Sequence, residues 1–135
     1  MNVGRPLASS ALIALCVSSY SFAAQTDAVY TKEQAARGAT VYGARCAECH
    51  GAKLEGIAGP ALSGATFLKK WNGQTADDLH YIAESQMPLD APGALKASEY
   101  LDITAFILSK NAFEAGETPL TAAKLKSITF RSKHS

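Results

Sequence analysis

The chain has 135 residues and a nearly balanced charge, with 13 lysines and arginines against 12 aspartates and glutamates. A formal net charge of +1 provides no general attraction to nucleic acid, so we expect no nucleic-acid partner. The length leaves room for a leader segment and one globular domain.

The first 23 residues have the pattern of a secretory signal peptide. Arg5 supplies a positive start, residues 7–17 are apolar, and small residues around Ala23 form a cleavage site. The apolar stretch of about 11 residues is shorter than a membrane-spanning helix requires. We therefore expect a periplasmic protein without stable membrane insertion, with a domain over 24–117 and a C-terminal extension over 118–135. The alternative is an uncleaved segment that serves as a membrane anchor.

The first helix is predicted to begin after Thr31 and to run toward Arg45. Thr31 and Gln34 have the spacing of a capping box, in which the hydroxyl and the later side chain satisfy free amides at the helix start. Gly38 and Tyr42 lie one turn apart on one face of this helix. A small residue beside an aromatic one indicates a face that packs closely against another helix.

Glycines and Pro60 interrupt any helical or strand period between residues 51 and 65, which predicts a wrapping loop. A short helical turn is expected over Phe67 to Trp71. Thr75 then caps another helix, with Asp77 and Asp78 in its first turn, where the helix dipole favours negative charge.

The segment from Met87 to Ala94 contains prolines and a glycine and is predicted to be irregular. Ser98 is expected to open the last strong helix, which runs to about Lys110. Residues 120–130 form a weaker amphipathic segment that should pack three apolar side chains on the body, namely Leu125, Ile128 and Phe130. Because no strand pattern is present, we expect an all-α domain with four or five short helices.

Cys46-Ala47-Glu48-Cys49-His50 is a C-x-x-C-H motif. One helical turn separates the two thiols, which can add to the two vinyl groups of a haem, while the adjacent histidine reaches the iron from the same side. The motif predicts one covalently attached haem c, with Cys46 and Cys49 as attachment points and His50 as an iron ligand.

Three other interpretations of the cysteines remain open from the residues alone. A structural zinc site would need four well-spread ligands, whereas the cysteines and histidines are few and Cys49 adjoins His50. A redox C-x-x-C pair of the thioredoxin type would need a strand before the motif, and here a helix precedes it. A simple disulfide in an exported protein is the third possibility.

Met87 is the only methionine left once the leader is removed. It stands before Pro88, which would restrict the loop and present the sulfur to iron, so we predict Met87 as the second iron ligand. The alternatives are that Met87 fills the core, or that His80 or His134 completes a bis-histidine site.

These residues together resemble the class I c-type cytochromes over essentially the whole mature length. The resemblance rests on Cys46 to His50, Gly59 to Leu62, Trp71, Gln86 to Pro88 and the helix from Tyr100 to Leu108. It implies the cytochrome c fold, in which short helices surround one covalently bound haem.

The resemblance also implies roles for individual residues. The Pro60 carbonyl would accept a hydrogen bond from the outer ring nitrogen of His50 and so orient the ring. Trp71 would donate a hydrogen bond to a haem propionate, or would be an ordinary core tryptophan. The first and last helices would cross at four residues: Gly38, Tyr42, Ile103 and Phe106.

The longer pattern from Met87 through Pro92, Gly93 and Leu95 to Tyr100 is similar to bacterial periplasmic cytochromes that accompany quinoprotein alcohol dehydrogenases and sulfite dehydrogenases. It implies an electron carrier and not an enzyme, with a periplasmic dehydrogenase as donor and a terminal oxidase or another cytochrome as acceptor. The chain would be a monomer or one subunit of a hetero-complex. The alternatives are the haem subunit of a dehydrogenase and a ligand-binding haem sensor.

Overall fold

A computed structural model describes residues 1–2, 4 and 28–132. The predicted signal peptide lies almost entirely outside the described residues. The described part contains six helices, and its only β pairing consists of two isolated bridges. The helices are α1 (Lys32–Arg45), α2 (Ala47–His50), α3 (Gly64–Trp71), α4 (Ala76–Gln86), α5 (Ala97–Ser109) and α6 (Ala122–Leu125).

The all-α prediction is confirmed, but the helices number six and not four or five. The difference comes from α2 and α6, which are single turns of four residues each. A helix of one turn is too short to show a repeating apolar pattern in the sequence, because it provides at most one buried position. None of the helices in the described part is long and apolar enough to cross a membrane.

The crossing of α1 and α5 forms the centre of the fold. Gly38 lies directly against α5, where a Cβ atom at this position would overlap the backbone carbonyl of Asp102. One turn along α1, the Tyr42 ring packs at 5.2 Å from the Phe106 ring. Beside the crossing, the Arg37 guanidinium donates to both carboxylate oxygens of Asp102, at 2.9 and 3.1 Å. The helix contact that the resemblance implied is present.

The predicted cap of α4 is present, that of α1 is present in part because the Gln34 side chain bonds to Leu120 and not to the helix start, and that of α5 differs. Thr31 accepts a hydrogen bond from the Gln34 amide, and Thr75 forms a reciprocal capping box with Asp78. A cap at Ser98 would make α5 begin at residue 99, whereas the helix begins two residues earlier, at Ala97. The Lys96 amide donates to the Glu99 carboxylate at 2.8 Å, so a glutamate in the first turn caps this helix in place of the serine.

The C-terminal segment, residues 118–132, packs against the body as well as extending it. Leu120, Leu125, Ile128 and Phe130 are all buried. The side-chain amide of Gln34 on α1 donates to the Leu120 carbonyl and accepts from the Leu120 amide. Further along, Phe130 exchanges backbone hydrogen bonds with the turn between α3 and α4. These contacts link the segment to α1 and to the turn between α3 and α4.

Candidate functional site

The C-x-x-C-H residues form a turn of their own directly after α1. The Cys46 amide continues the hydrogen bonding of α1 by donating to Tyr42, and the His50 amide donates to the Cys46 carbonyl at 2.9 Å. The two cysteines carry free thiols; Cys49 is exposed and Cys46 is half-buried. Burial raises the pKa of the Cys46 thiol. The turn therefore presents two thiols three residues apart, at its cap and in its last turn, with an imidazole directly after the second.

The His50 ring is fixed in orientation by the loop that follows it. Its Nδ1 atom lies 2.8 Å from the Pro60 carbonyl oxygen. Because a carbonyl can only accept a hydrogen bond, Nδ1 carries the proton and Nε2 keeps its lone pair. The backbone of Gly59 lies along the ring, and a Cβ atom there would come within 2.7 Å of Cε1. His50 thus presents Nε2 as a free ligand atom in a narrow cradle.

Tyr42 fixes the chain on the other side of the histidine. Its side chain is 2% exposed, and its hydroxyl donates to the Gly51 carbonyl at 2.7 Å. Burial, reinforced by the nearby Cys46 and Glu55, raises the pKa of Tyr42 to about 12. The hydroxyl therefore stays protonated and remains a donor over the whole physiological range of pH.

Asn111 anchors the far end of the loop and was not found by sequence reasoning. Its side-chain amide donates to the Leu62 carbonyl and accepts from the Gly64 amide, at 2.9 and 3.2 Å. It also donates to Ile107 of α5, which makes it a bridge between the last helix and the start of α3. Neither the glycine-rich loop nor the residues around Asn111 indicate this pairing, because the partners are 47 and 49 positions apart in the sequence.

Met87 stands where α4 ends. Its amide makes the last helical hydrogen bond, to Ala83 at 3.2 Å, and its backbone then becomes extended. The side chain is partly buried, and Pro88 after it is buried. The Met87 carbonyl accepts a hydrogen bond of 2.7 Å from the Tyr100 hydroxyl, a contact that sequence reasoning also missed. The thioether is therefore carried by a backbone position that α5 holds in place.

Trp71 lies in an aromatic cluster at the end of α3. It is 7% exposed, stacks on Phe67 at 5.8 Å, and meets the edge of Phe130 at 5.9 Å. The Trp71 ring is therefore enclosed by the other rings of this cluster. Its proposed hydrogen bond to a haem propionate stays a prediction.

His80 lies in the interface between α4 and α5. Its Nδ1 atom is 3.1 Å from the Thr104 hydroxyl, and that hydroxyl donates to the Tyr100 carbonyl at 2.8 Å. The hydroxyl proton is thus already used, so Nδ1 donates to it and the ring is held between the helices. His134, the other fallback ligand, lies outside the described residues.

The donor set fits a haem c. It consists of two free thiols one turn apart, an oriented imidazole with a free Nε2, and a thioether on a braced loop. A structural zinc site is not supported, because within the part of the chain that the structure describes no group of three or more histidine, cysteine, aspartate or glutamate side chains is placed to hold a metal ion.

The comparisons with known proteins agree with this chemistry. Residues 35–111 match the family model described as Cytochrome c. The fold is similar to one chain of the sulfane dehydrogenase SoxCD from Paracoccus pantotrophus, with a TM-score of 0.62 and 19% sequence identity. That match covers 77% of this chain and 61% of the other, and at this identity it reports on the fold alone. No curated protein sequence matches the chain.

The matched region covers more than half of the chain and runs from the start of α1 through the C-x-x-C-H turn to the end of α5. The resemblance to c-type cytochromes is thereby confirmed. The chain belongs to the cytochrome c family, whose members carry a covalently attached haem c and transfer electrons.

Proposed function

We propose that the protein is a periplasmic single-electron carrier in which Cys46 and Cys49 attach the haem and His50 and Met87 are the iron ligands. The observation that carries the proposal is the His50 geometry, since Nδ1 is bound to Pro60 and Nε2 is left free beside two thiols. A histidine that only filled the core would not need a carbonyl partner, a glycine cradle and neighbouring cysteines together.

The residues of the chain perform distinct tasks in this proposal. When bound, the haem iron supplies one-electron redox chemistry. His50 receives electron density through its hydrogen bond to Pro60, which makes the imidazole a stronger ligand. The Met87 thioether favours the reduced state and so raises the potential. With His50 and Met87 both as protein ligands, the iron would keep no free position for a substrate, which favours a carrier over an enzyme.

The donor we propose is a periplasmic dehydrogenase, with a terminal oxidase or another cytochrome as the acceptor. Three features support this: the signal-like first 23 residues, the exported location that haem attachment at C-x-x-C-H requires in a bacterium, and the fold shared with a chain of SoxCD. A subunit of a dehydrogenase complex is the second candidate, favoured by the same likeness. Size-exclusion chromatography of the periplasmic fraction separates the two, because a permanent subunit elutes with its larger partner and a free carrier elutes alone.

Replacing Met87 with leucine tests the ligand assignment. Leucine keeps the volume and removes the sulfur, so the far-red band of methionine-ligated ferric haem should disappear. The potential should fall by on the order of 100 mV, since axial ligands are a main determinant of haem potential. Absorption spectroscopy and potentiometry measure both changes. Leu89→Ala is the control, because this neighbouring side chain is 75% exposed. An unchanged band and potential in Met87→Leu would remove Met87 from the site.

Gly59→Ala tests the orientation of His50. The added methyl group would come within 2.7 Å of the ring, so the imidazole must turn and its hydrogen bond to Pro60 must weaken. A less basic imidazole stabilises ferric iron less, so we expect the potential to rise by up to about 60 mV. This shift corresponds to a tenfold change in the equilibrium constant of a one-electron reduction. Potentiometry measures the change. The control is Ala58→Ser at the exposed neighbour, and equal potentials in the two variants would contradict the cradle role of Gly59.

A further inference from the structure

Three buried tyrosines use their hydroxyl groups in the same way, each donating to a distant backbone carbonyl. Tyr30 donates to Phe113 at 2.8 Å, Tyr42 to Gly51 at 2.7 Å, and Tyr100 to Met87 at 2.7 Å. Tyr42 holds the residue after His50, and Tyr100 holds Met87 itself. The Tyr30 bond joins the start of the domain to the chain after α5 and touches neither proposed ligand.

Tyr100 is in the first turn of α5 and is 2% exposed. Its hydroxyl donates to the Met87 carbonyl. The oxygen of that hydroxyl also accepts a hydrogen bond from the Leu95 amide, at 3.5 Å. One side chain therefore connects the two ends of the irregular segment 87–95. Because α5 is packed along α1 through the Gly38 crossing, the hydroxyl belongs to a helix that is anchored in the core.

The Met87 carbonyl needs such a partner because it ends a helix. The helix cannot continue through Pro88, which lacks an amide proton, and the chain turns away. The other donor to this carbonyl is the Gly93 amide, at a longer 3.3 Å. Without the tyrosine, the carbonyl would keep only this weaker bond.

The position of the carbonyl determines what the thioether can do. Methionine has three rotatable side-chain bonds and adapts readily, so its sulfur stays in one place only if its backbone does. The short hydrogen bond fixes the peptide plane that follows the Met87 Cα atom, and with it the origin of the side chain. Within segment 87–95, Leu89 and Asp90 are exposed, and the backbone turns on itself through the bonds of Ala91 to Pro88 and of Gly93 to Met87, so the tyrosine hydroxyl is what ties this turn to α5.

We propose that Tyr100 is the positioning residue for the Met87 ligand, holding the thioether on the iron through both oxidation states by fixing the Met87 carbonyl. The proposal rests on the proposed function, in which Met87 is a ligand. In this role Tyr100 acts through the Met87 backbone carbonyl. Tyr100 reduces how often segment 87–95 moves away from the iron. Removing its hydroxyl affects the ligand through this segment.

The test compares Tyr100→Phe with Tyr30→Phe in the ferric, haem-containing protein. Each variant deletes one buried hydroxyl that donates to a backbone carbonyl, and Tyr100→Phe also loses the long contact with the Leu95 amide, so both variants should lose stability. Imidazole added at neutral pH binds to the iron only after the methionine has left. We expect Tyr100→Phe to accelerate this binding about tenfold, the factor typical of one buried hydrogen bond. Tyr30→Phe should bind imidazole at the wild-type rate.

The outcomes separate the two proposals. If the wild-type protein lacks the far-red methionine band, Met87 is not a ligand, and the proposed ligand set fails together with this inference. If the band is present but Tyr100→Phe and Tyr30→Phe bind imidazole equally fast, only the role of Tyr100 is overturned. A stability loss without faster imidazole binding has the same meaning, because a merely structural tyrosine would give that result.

A second measurement applies to the unaltered chain, in case Tyr100→Phe does not fold. Methionine labelled with carbon-13 at its carbonyl marks at most Met1 and Met87, the two methionines of the sequence. A Met87 carbonyl held by the tyrosine has one fixed set of donors and should give a narrow infrared band, whereas a carbonyl solvated by water gives a broad one. A labelled carbonyl that exchanges its solvent partners freely would overturn the proposal.

Discussion

Replacing Gly38 with alanine should lower the free energy of unfolding by about 3 kcal/mol, because α1 and α5 would have to move apart. The new Cβ atom would overlap the Asp102 carbonyl and lie 3.0 Å from the Ile103 amide nitrogen. Both are backbone atoms in the middle of a helix, so neither can rotate away as a side chain would. The crossing also contains the Tyr42–Phe106 contact, which would loosen with it.

Gly43→Ala is the matched control for this prediction. It places the same substitution five residues along α1, at an exposed position where nothing lies within 4 Å of the new Cβ atom. Since alanine favours helix more than glycine, this variant should gain up to about 1 kcal/mol. Urea denaturation of the haem-containing protein, followed by circular dichroism, measures both. If the two variants change stability in the same direction and by similar amounts, the helix crossing is not as close as the structure has it.

Features determined by short stretches of sequence could be predicted well. The hydroxyl caps at Thr31 and Thr75 follow from residues three positions apart, and the loop over 51–65 follows from its glycines and Pro60. The Gly38 and Tyr42 face was recognised because a small residue next to an aromatic one is informative within one helix. The C-x-x-C-H turn likewise carries its chemistry within five residues.

Features that depend on pairs distant in sequence could not be predicted from the residues alone. Tyr100 and Met87 are 13 positions apart, and Asn111 is 49 positions from Leu62. Nothing near a tyrosine or an asparagine indicates which carbonyl its side chain will meet, since that depends on how the helices pack. The start of α5 was misplaced for a related reason, because both Ser98 and Glu99 are able to cap a helix and only the structure distinguishes them.

The two sides of the proposed haem site depend on the same helix. Phe106 of α5 packs against Tyr42, which holds the turn that carries His50. Asn111, two residues after the end of α5, holds the loop that follows His50. Through Tyr100, α5 also holds the Met87 segment. The helix α5 therefore sets the separation of the two proposed ligands. An electron carrier needs a constant separation if its geometry is to change little between oxidation states.

The C-terminal segment depends on Phe130 for its attachment to this body. The side chain is completely buried and meets three other rings edge-on, those of Phe67, Trp71 and Phe113, at 5.2 to 5.9 Å. Its backbone exchanges hydrogen bonds with the turn after α3, donating to Gln74 and accepting from Gly73 at 2.9 Å. The ring thus closes the aromatic cluster that contains Trp71.

Phe130→Ala should therefore cost about 3 to 5 kcal/mol of unfolding free energy, a large part of the total stability of a domain this size. Arg131→Ala is the control: it alters the next residue, which is exposed, and should change stability by less than about 0.5 kcal/mol. Urea denaturation measures both variants. Because the cluster holds Trp71, the potential should also shift in Phe130→Ala if Trp71 binds a propionate. A stability loss below about 1 kcal/mol would mean that the segment leaves the body in solution and that the aromatic cluster is complete without it.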